Sequence, residues 1–183
     1  MDRALVERAQ RGDRQAYERL AGSVARQLFL IAHRILRDPD QAEDAVQQAL
    51  VSIWRELPNL RDPDRFEAWA HRLIVRASID EVRRRKAGPA AVRSIPETEP
   101  ATPDDSERFA DRDALERAFR RLSPDHRAVV VLHLYVGLSL AEVAETLEIP
   151  YGTVGSRLHY ATRQLREAIE ADGRAPVSRG QPA

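Results

Sequence analysis

The chain has 183 residues, with 29 basic and 29 acidic side chains, so its formal net charge is zero. This length suits one domain or two small ones, and a composition rich in Ala, Leu, Arg and Glu but poor in Gly favours helices. The lack of cysteine excludes disulfides and thiolate metal sites, and no apolar run approaches the roughly 18 residues that span a bilayer.

The first residues contain no signal-peptide core, so we expect a cytoplasmic protein without membrane insertion. The first long helix is predicted from about Arg14 to Arg37, because apolar residues at steps of three and four follow one face. Asp38-Pro39-Asp40 then breaks the pattern, and Asp40 with Glu43 is spaced as a capping box. The second helix follows, with this inward stripe: Ala42, Ala45, Val46, Ala49, Leu50, Ile53, Trp54 and Leu57.

A third helix is predicted after the loop at 58–61. Asp62 is suited to cap it, Pro63 to occupy its first position, and Gly88-Pro89 to end it after Lys86. Residues 71–86 contain six basic and two acidic side chains, a net +4 in about four helical turns. The inward positions of this basic helix are Phe66, Trp69, Leu73, Ala77 and Val82.

Residues 88–110 contain four prolines and few large apolar groups, which predicts a flexible linker between two helical domains. Residues 91–110 carry two basic and five acidic side chains, a net charge of −3. The chain therefore combines a basic helix with an acidic segment after it, although its total charge is balanced.

The C-terminal part, residues 111–173, is predicted to form four helices. Ser123-Pro124 begins the second of them, and Gly137 is suited to end it. Ser139 and Glu142 form a capping box for a short helix, which Ile149-Pro150 ends before a longer helix starts near Tyr151. This pattern fits a DNA-binding helix-turn-helix and equally an ordinary corner between two helices. The tail, residues 174–183, is predicted to be disordered.

Enzymatic function has little support in this sequence. The five histidines are scattered without metal-ligand spacing, and no glycine-rich phosphate loop is present. We therefore expect no catalytic residue, no metal site and no cofactor.

Taken in order, four stretches resemble the extracytoplasmic-function (ECF) sigma factors of the sigma-70 type. The first is Gly12-Asp13 with the apolar positions after it, and the second is 42–48 followed by Trp54. The third is the basic helix with Phe66, Trp69, Arg72 and Asp80, and the fourth is the 138–158 unit. The resemblance extends from about residue 5 to residue 169.

The resemblance implies an all-α fold of two small helical domains and a role in promoter recognition and transcription initiation. Residues 1–87 would be region 2, a helical bundle that binds core RNA polymerase and the −10 element. Residues 111–173 would be region 4, a helix-turn-helix that binds the −35 element. Residues 88–110 would be a linker, serving either as an imitation of nucleic acid in the polymerase or as a plain tether. The implied partners are core RNA polymerase, promoter DNA and an anti-sigma factor.

The resemblance also implies site residues. The polymerase would bind Asp44, Gln47, Gln48 and Val51. Single-stranded −10 DNA would contact Asn59, Leu60, Arg61, Phe66, Trp69, Arg72, Arg76, Arg83 and Arg84, although Phe66 and Trp69 also have helical core spacing. Duplex −35 DNA would contact Thr153, Ser156, Arg157, His159, Tyr160 and Arg163.

Three positions depart from the family pattern: Arg76 replaces a frequent Asn, Gly155 a frequent Lys or Arg, and Tyr160 a frequent Arg. The loss of two cations predicts weak duplex binding by the isolated C-terminal domain.

Two other functions remain open from the sequence. A stand-alone helix-turn-helix regulator that dimerises on a palindrome would explain the C-terminal domain but leaves the N-terminal domain without a role. A helical adaptor that does not bind DNA would treat the basic helix as surface charge. Association with core polymerase distinguishes the first interpretation from both of these.

Overall fold

The computed structural model describes residues 2–87 and 115–173, and all regular secondary structure in these two ranges is helical. The predicted linker, 88–110, and the predicted tail, 174–183, lie outside the described residues. Within the described ranges, no helix is long and apolar enough to cross a membrane.

The N-terminal half is a bundle of four helices. Two short 3₁₀ turns, Leu57–Asn59 and Pro63–Arg65, connect its third and fourth helices. The helices are α1 (Arg3–Gln10), α2 (Arg14–Leu36), α3 (Pro39–Glu56) and α4 (Phe66–Ala87). The sequence pattern did not predict α1, which buries only Val6 and Ala9.

Aspartates begin three of these helices. The Asp13 side chain accepts a hydrogen bond from the Ala16 backbone amide at 3.0 Å, and the Asp38 side chain accepts one from the Gln41 amide at 3.0 Å. These charge-assisted bonds satisfy amides that have no partner inside the helix, and they contribute to lowering the pKa of both carboxyls.

The predicted capping box of Asp40 and Glu43 is wrong. The helix begins two residues earlier, because Asp38 is the cap and Pro39 occupies the first helical position. Proline is suited to that position, since its missing N–H would have no intrahelical partner there.

The C-terminal half contains the other helices. Helix α5 covers 115–121 within the described residues, and α6 (Pro124–Val130) continues into a π-helical turn, Val131–Tyr135. Gly137 follows with φ +84°, a conformation that glycine adopts without steric cost. Helices α7 (Leu140–Leu147) and α8 (Tyr151–Gly173) complete this half.

The capping box of α7 is confirmed. Ser139 Oγ accepts from the Glu142 amide at 3.3 Å, and Glu142 Oε2 accepts from the Ser139 amide at 2.8 Å. Both groups of Ser139 lower the pKa of Glu142. Glu148 ends the helix with φ 54°, so the chain turns within three residues into α8. Val154 and Ala161 of α8 are buried, whereas Ile169 is exposed.

The two halves pack against each other. Helices α6 and α7 contact α4, and α6 also contacts α2. As a result, one continuous apolar core extends from Val6 in α1 to Val154 in α8. Among the described residues, a small separate cluster, formed by Leu122, Val130 and Ala161, belongs to the C-terminal half alone. We call the contact between the halves the seam.

The burial pattern of α3 leads to a stability test. Ile53 is fully buried while Val51, on the opposite face, is 43% exposed. We expect Ile53→Ala to lower the free energy of unfolding by about 2–4 kcal/mol, because a cavity remains in the core. The matched change Val51→Ala should cost less than about 0.5 kcal/mol in the same urea titration. Equal losses in the two variants would contradict the assigned core face.

Candidate nucleic-acid interface

The loop between α3 and α4 is held by α1. Gln10 Nε2 donates to the carbonyl oxygens of Leu57 at 3.1 Å and Leu60 at 2.7 Å. Arg3 Nη1 donates to Asp64 Oδ2 at 2.6 Å. These contacts fix a loop in which Asn59 and Arg61 are exposed and the Leu60 side chain is partly buried. The sequence pattern missed the role of Gln10 because a lone amide in a short helix has no distinctive spacing.

The assignment of Phe66 to DNA binding is wrong for this arrangement. Phe66 is fully buried, since it stands at the start of α4 where the helix meets the core. A ring without exposed surface cannot stack on a base. Trp69 is partly buried, and its ring centroid lies 6.0 Å from that of Phe66. Trp69 therefore keeps some exposed surface, while Phe66 is a core residue.

The candidate arginines of α4 already form ion pairs with carboxylates of the same chain. Arg72 Nη1 lies 3.4 Å from Glu145 Oε1 of α7, and Arg76 forms an ion pair with Glu148 at the end of α7. Both pairs cross the seam.

Farther along α4, the pairing is local. Arg83 lies 3.4 Å from Asp80, and Arg84 lies 2.5 Å from the buried Glu81. Seven arginines are candidates for DNA contact, five for the −10 strand and two for the −35 duplex. Among them, only Arg61 lacks an ion pair within residues 2–87 and 115–173. Exposed ion pairs are weak, so phosphates can displace the carboxylates.

The candidate recognition helix is α8. Ser156, His159, Tyr160 and Arg163 are exposed, whereas Thr153 and Arg157 are partly buried. Ser156 Oγ donates to the Thr153 carbonyl oxygen at 3.0 Å. The Arg163 guanidinium lies over the Tyr160 ring at 5.6 Å, and that ring also packs on His126 at 4.7 Å. The exposed side chains lie along one side of α8, as a helix that enters a major groove requires.

The two candidate DNA surfaces meet at one residue each. Arg83 of α4 and Arg157 of α8 line the same pocket, together with Ile79, Val82, Pro124 and Asp125. Arg157 Nη1 also lies 3.9 Å from Asp125 Oδ1 of α6. The major groove of DNA alone is about 12 Å wide, so a duplex does not fit between two side chains that share one pocket.

The outer face of α3 carries the predicted polymerase-binding residues. Asp44, Gln47, Gln48 and Val51 are all exposed there. Trp54 was predicted to point inward, but 44% of its surface is exposed, and its ring meets Tyr17 edge-on at 4.6 Å. Trp54 follows Val51 by three residues, so the two form an exposed apolar patch beside the polar groups. Aromatic residues of this kind are enriched in protein interfaces.

No group of three or more His, Cys, Asp and Glu side chains within the described residues could hold a metal ion. The site is therefore described by its cations, amides and aromatic rings alone.

Comparison with family models gives two matches in chain order. Residues 20–88 match sigma-70 region 2, and residues 112–165 match sigma-70 region 4. The first match contains α3 and α4, and the second contains α6, α7 and most of α8.

Curated relatives carry the same family name. The chain is 34% identical to the ECF RNA polymerase sigma factor SigM of Mycobacterium tuberculosis, over 86% of this chain and 79% of that protein. It is also 34% identical to the ECF RNA polymerase sigma factor SigE of Mycolicibacterium smegmatis, over 86% of this chain. The match spans 64% of the length of that SigE, which is thus the longer protein.

Solved structures share the fold. The structure of CnrH in complex with the cytosolic domain of CnrY matches with a TM-score of 0.62 and 26% identity, over 93% of this chain and 98% of that one. The sigma factor RpoE from Bartonella quintana, in a co-crystal structure with the anti-sigma factor NepR, has a TM-score of 0.66 at 22% identity, over 85% and 98%.

The ion pairs across the seam predict that removing their carboxylates will strengthen DNA binding. In the double variant Glu145→Gln with Glu148→Gln, Arg72 and Arg76 lose the carboxylates that compete with phosphates. We expect about three- to tenfold tighter binding of a labelled single-stranded oligonucleotide, measured by fluorescence anisotropy at low salt.

The matched control removes two exposed acids far from the seam, Glu18→Gln with Glu56→Gln. It changes the net charge equally, so an equal gain in the control would show that only total charge matters.

Proposed function

Because the chain belongs to the extracytoplasmic-function branch of the sigma-70 family, we propose that it directs RNA polymerase to a set of promoters and opens them. One observation supports this most strongly. A single chain contains the basic helix α4 and the helix-turn-helix α7–α8, in the order of regions 2 and 4. A stand-alone regulator would need only the second of these.

We infer that the loop before α4 and the polar face of α4 hold single-stranded −10 DNA. Melted DNA is bound by a combination of cations that follow the backbone and surfaces on which bases stack. Asn59, Arg61, Arg72 and Arg76 supply polar and cationic groups, and the exposed part of Trp69 supplies an aromatic surface. Opening would follow from capture of unpaired bases, which shifts the melting equilibrium without any chemical step in this chain.

We further propose that α8 binds −35 DNA as a duplex. Arg157 and Arg163 would contact guanine edges or phosphates, with Ser156 and His159 beside them. Residues 111–173 contain eight basic and ten acidic side chains, a net −2, so this half gains little from general attraction to DNA. Its binding would therefore depend on tethering to the polymerase, which raises the effective concentration at the promoter.

Docking on the polymerase would use the outer face of α3, through the exposed Asp44, Gln47, Gln48 and Val51, with Trp54 added to the patch. The polymerase would catalyse RNA synthesis. The chain would act in the cytoplasm. Arg72 and Arg76 are paired across the seam, and Arg83 and Arg157 share one pocket there, so DNA binding through these four arginines would require the two halves to separate.

A regulatory protein partner is part of this proposal. The similar chain CnrH was solved in complex with the cytosolic domain of CnrY. We infer that this chain, too, binds a partner, of the anti-sigma class that its family implies. A partner that holds the halves together would keep Arg72 and Arg76 on their carboxylates.

Run-off transcription tests the proposed function. Core RNA polymerase is incubated with a promoter library, with and without the chain. The mycobacterial enzyme is suitable, because the relatives above come from mycobacteria. We expect new transcripts that begin at discrete sites only when the chain is present. A chain that neither binds core polymerase nor changes the start sites would contradict the proposal, and a symmetric footprint without polymerase would favour the stand-alone regulator.

The polymerase-docking face has its own test. We expect Val51→Asp to weaken binding to core polymerase at least about tenfold, because the new charge would be buried without a partner. The matched control Gln27→Asp places the same charge on an exposed position of α2. Both variants should unfold with similar free energies, so comparable polymerase binding by the two would contradict docking at α3.

Gly155 allows a test of the missing cation on α8. A Cβ atom added at Gly155 meets no atom within 4 Å, so a larger side chain fits without displacement. We expect Gly155→Arg to steepen the dependence of log K on log salt by about 0.9 in −35 duplex binding, which corresponds to one added phosphate contact. Gly22 of α2 is equally open, so Gly22→Arg is the matched control and should leave the slope unchanged.

A further inference from the structure

A cluster of four arginines lies at the seam and includes none of the residues proposed to contact DNA. Arg34 and Arg37 come from the end of α2, Arg120 from α5 and Arg127 from α6. Helix α2 packs against α6, which brings Arg37 near Arg127. Burial and then the charges of Arg120 and Arg34 lower the pKa of Arg37, and burial and then the charge of Arg37 lower the pKa of Arg127. We call these four residues the arginine cluster.

Arg127 is the most unusual side chain in the described part of the molecule. Only 8% of its surface is exposed, yet its Nε lacks a hydrogen-bond partner, and none of its atoms forms an ion pair within the described residues. A buried charge normally has a partner, because desolvation costs several kcal/mol that only hydrogen bonds and opposite charge offset. Burial and the nearby Arg37 lower the pKa of Arg127 to about 10, so the group is still protonated at neutral pH.

Arg37 also has a buried guanidinium nitrogen without a hydrogen-bond partner, although it forms one ion pair. Its Nη2 binds Glu116 of α5, but its Nε is buried and has no hydrogen-bond partner. The backbone of Arg37 adopts φ 62°, a left-handed conformation that is uncommon for residues other than glycine. Helix α2 ends at this residue. Arg34 stacks on the Tyr135 ring, with its guanidinium carbon 4.0 Å from the ring centroid.

The charges of the cluster are far from balanced. Within the described residues, the only ion pair of these four guanidinium groups is that of Arg37 with Glu116, whose side chain is 44% exposed. Four positive charges therefore have one paired carboxylate among the described residues, an excess of three. The guanidinium groups come from three different helices, α2, α5 and α6.

From this geometry we propose that the arginine cluster is a binding site for a small phosphate anion, either free or as part of a nucleotide. Phosphate suits it better than a carboxylate for two reasons. Its dianion offsets more of the excess charge, and its tetrahedral oxygens accept hydrogen bonds from several guanidinium groups at once. The orphan Nε–H groups of Arg37 and Arg127 would find acceptors there.

Binding at this place would couple to the closure of the halves. The N-terminal half supplies Arg34 and Arg37, and the C-terminal half supplies Arg120 and Arg127. An anion that contacts both pairs binds the closed arrangement better than a separated one, so it shifts the population toward closure. The ligand would thus keep Arg72 and Arg76 on their carboxylates across the seam without contacting the proposed DNA-binding residues.

Calorimetric titration of the full chain with orthophosphate tests this site, in a buffer where chloride keeps the ionic strength constant. We expect saturable binding, and a melting temperature about 3–6 °C higher at a phosphate concentration ten times the dissociation constant. Acetate at the same ionic strength should give no saturable signal. Titration with ATP in place of orthophosphate distinguishes the two sources, because tighter binding of ATP points to a nucleotide and equal or weaker binding points to the free anion.

Variants at the cluster make the test specific. We expect Arg127→Leu to weaken phosphate binding at least about tenfold, through loss of two or more charge-assisted hydrogen bonds. Without phosphate, its melting temperature should equal or exceed that of the parent, since a buried unpaired charge is removed. Glu116→Gln should bind phosphate about threefold more tightly, because it removes the competing carboxylate.

Two further variants keep the test decisive if Arg127→Leu does not fold. Arg120→Gln changes an exposed side chain of the cluster and should weaken binding about threefold. Arg166→Gln, an exposed position on α8, is the matched control and should leave binding unchanged. Absence of saturable binding up to about 10 mM phosphate would overturn the proposal, as would equal binding by the parent and Arg120→Gln.

Discussion

The apolar contact between the two halves is the constraint on which the other features depend. Helices α2 and α4 on one side and α6 and α7 on the other share one core, so their burial fixes which polar groups meet at its edges. Arg72 and Arg76 meet Glu145 and Glu148 at one edge, and four arginines crowd together at another. Apolar burial supplies the attraction, because exposed ion pairs contribute about 0–1 kcal/mol each.

This arrangement explains why a chain with a neutral net charge can still bind DNA. Acidic side chains of the same molecule pair with its candidate DNA-binding arginines: Arg72 and Arg76 are paired across the seam, and Arg157 and Arg163 within the C-terminal half. Weak pairs of this kind exchange readily for phosphates, so they reduce non-specific binding without preventing specific binding. In the proposed promoter complex, Arg72 and Arg76 would therefore exchange Glu145 and Glu148 for phosphates.

The sequence predicted the helices well and their contacts poorly. Periodicity located α2, α3 and the α7–α8 turn, because each has a cap and an apolar stripe. It also located α4 but placed its start at Pro63, where Asp62 caps a 3₁₀ turn and the α-helix begins only at Phe66. It misplaced the start of α3, because two aspartates that could cap the helix, Asp38 and Asp40, lie only two residues apart. It also could not show whether another helix covers Trp54, which lies at the edge of the apolar stripe. Periodicity identifies the apolar face of a helix but not the helix that covers it. The seam, the pairs of Arg72 and Arg76, and the burial of Arg127 were therefore not predictable.

Distance measurements between the halves test the closed arrangement most directly. The chain has no cysteine, so cysteines placed at the exposed Gln27 of α2 and Arg166 of α8 can be spin-labelled without background. The account predicts one narrow distance distribution for the free chain, and a longer distance once core polymerase and promoter DNA are bound. A broad distribution in the free chain, or the same distance in both states, would contradict it.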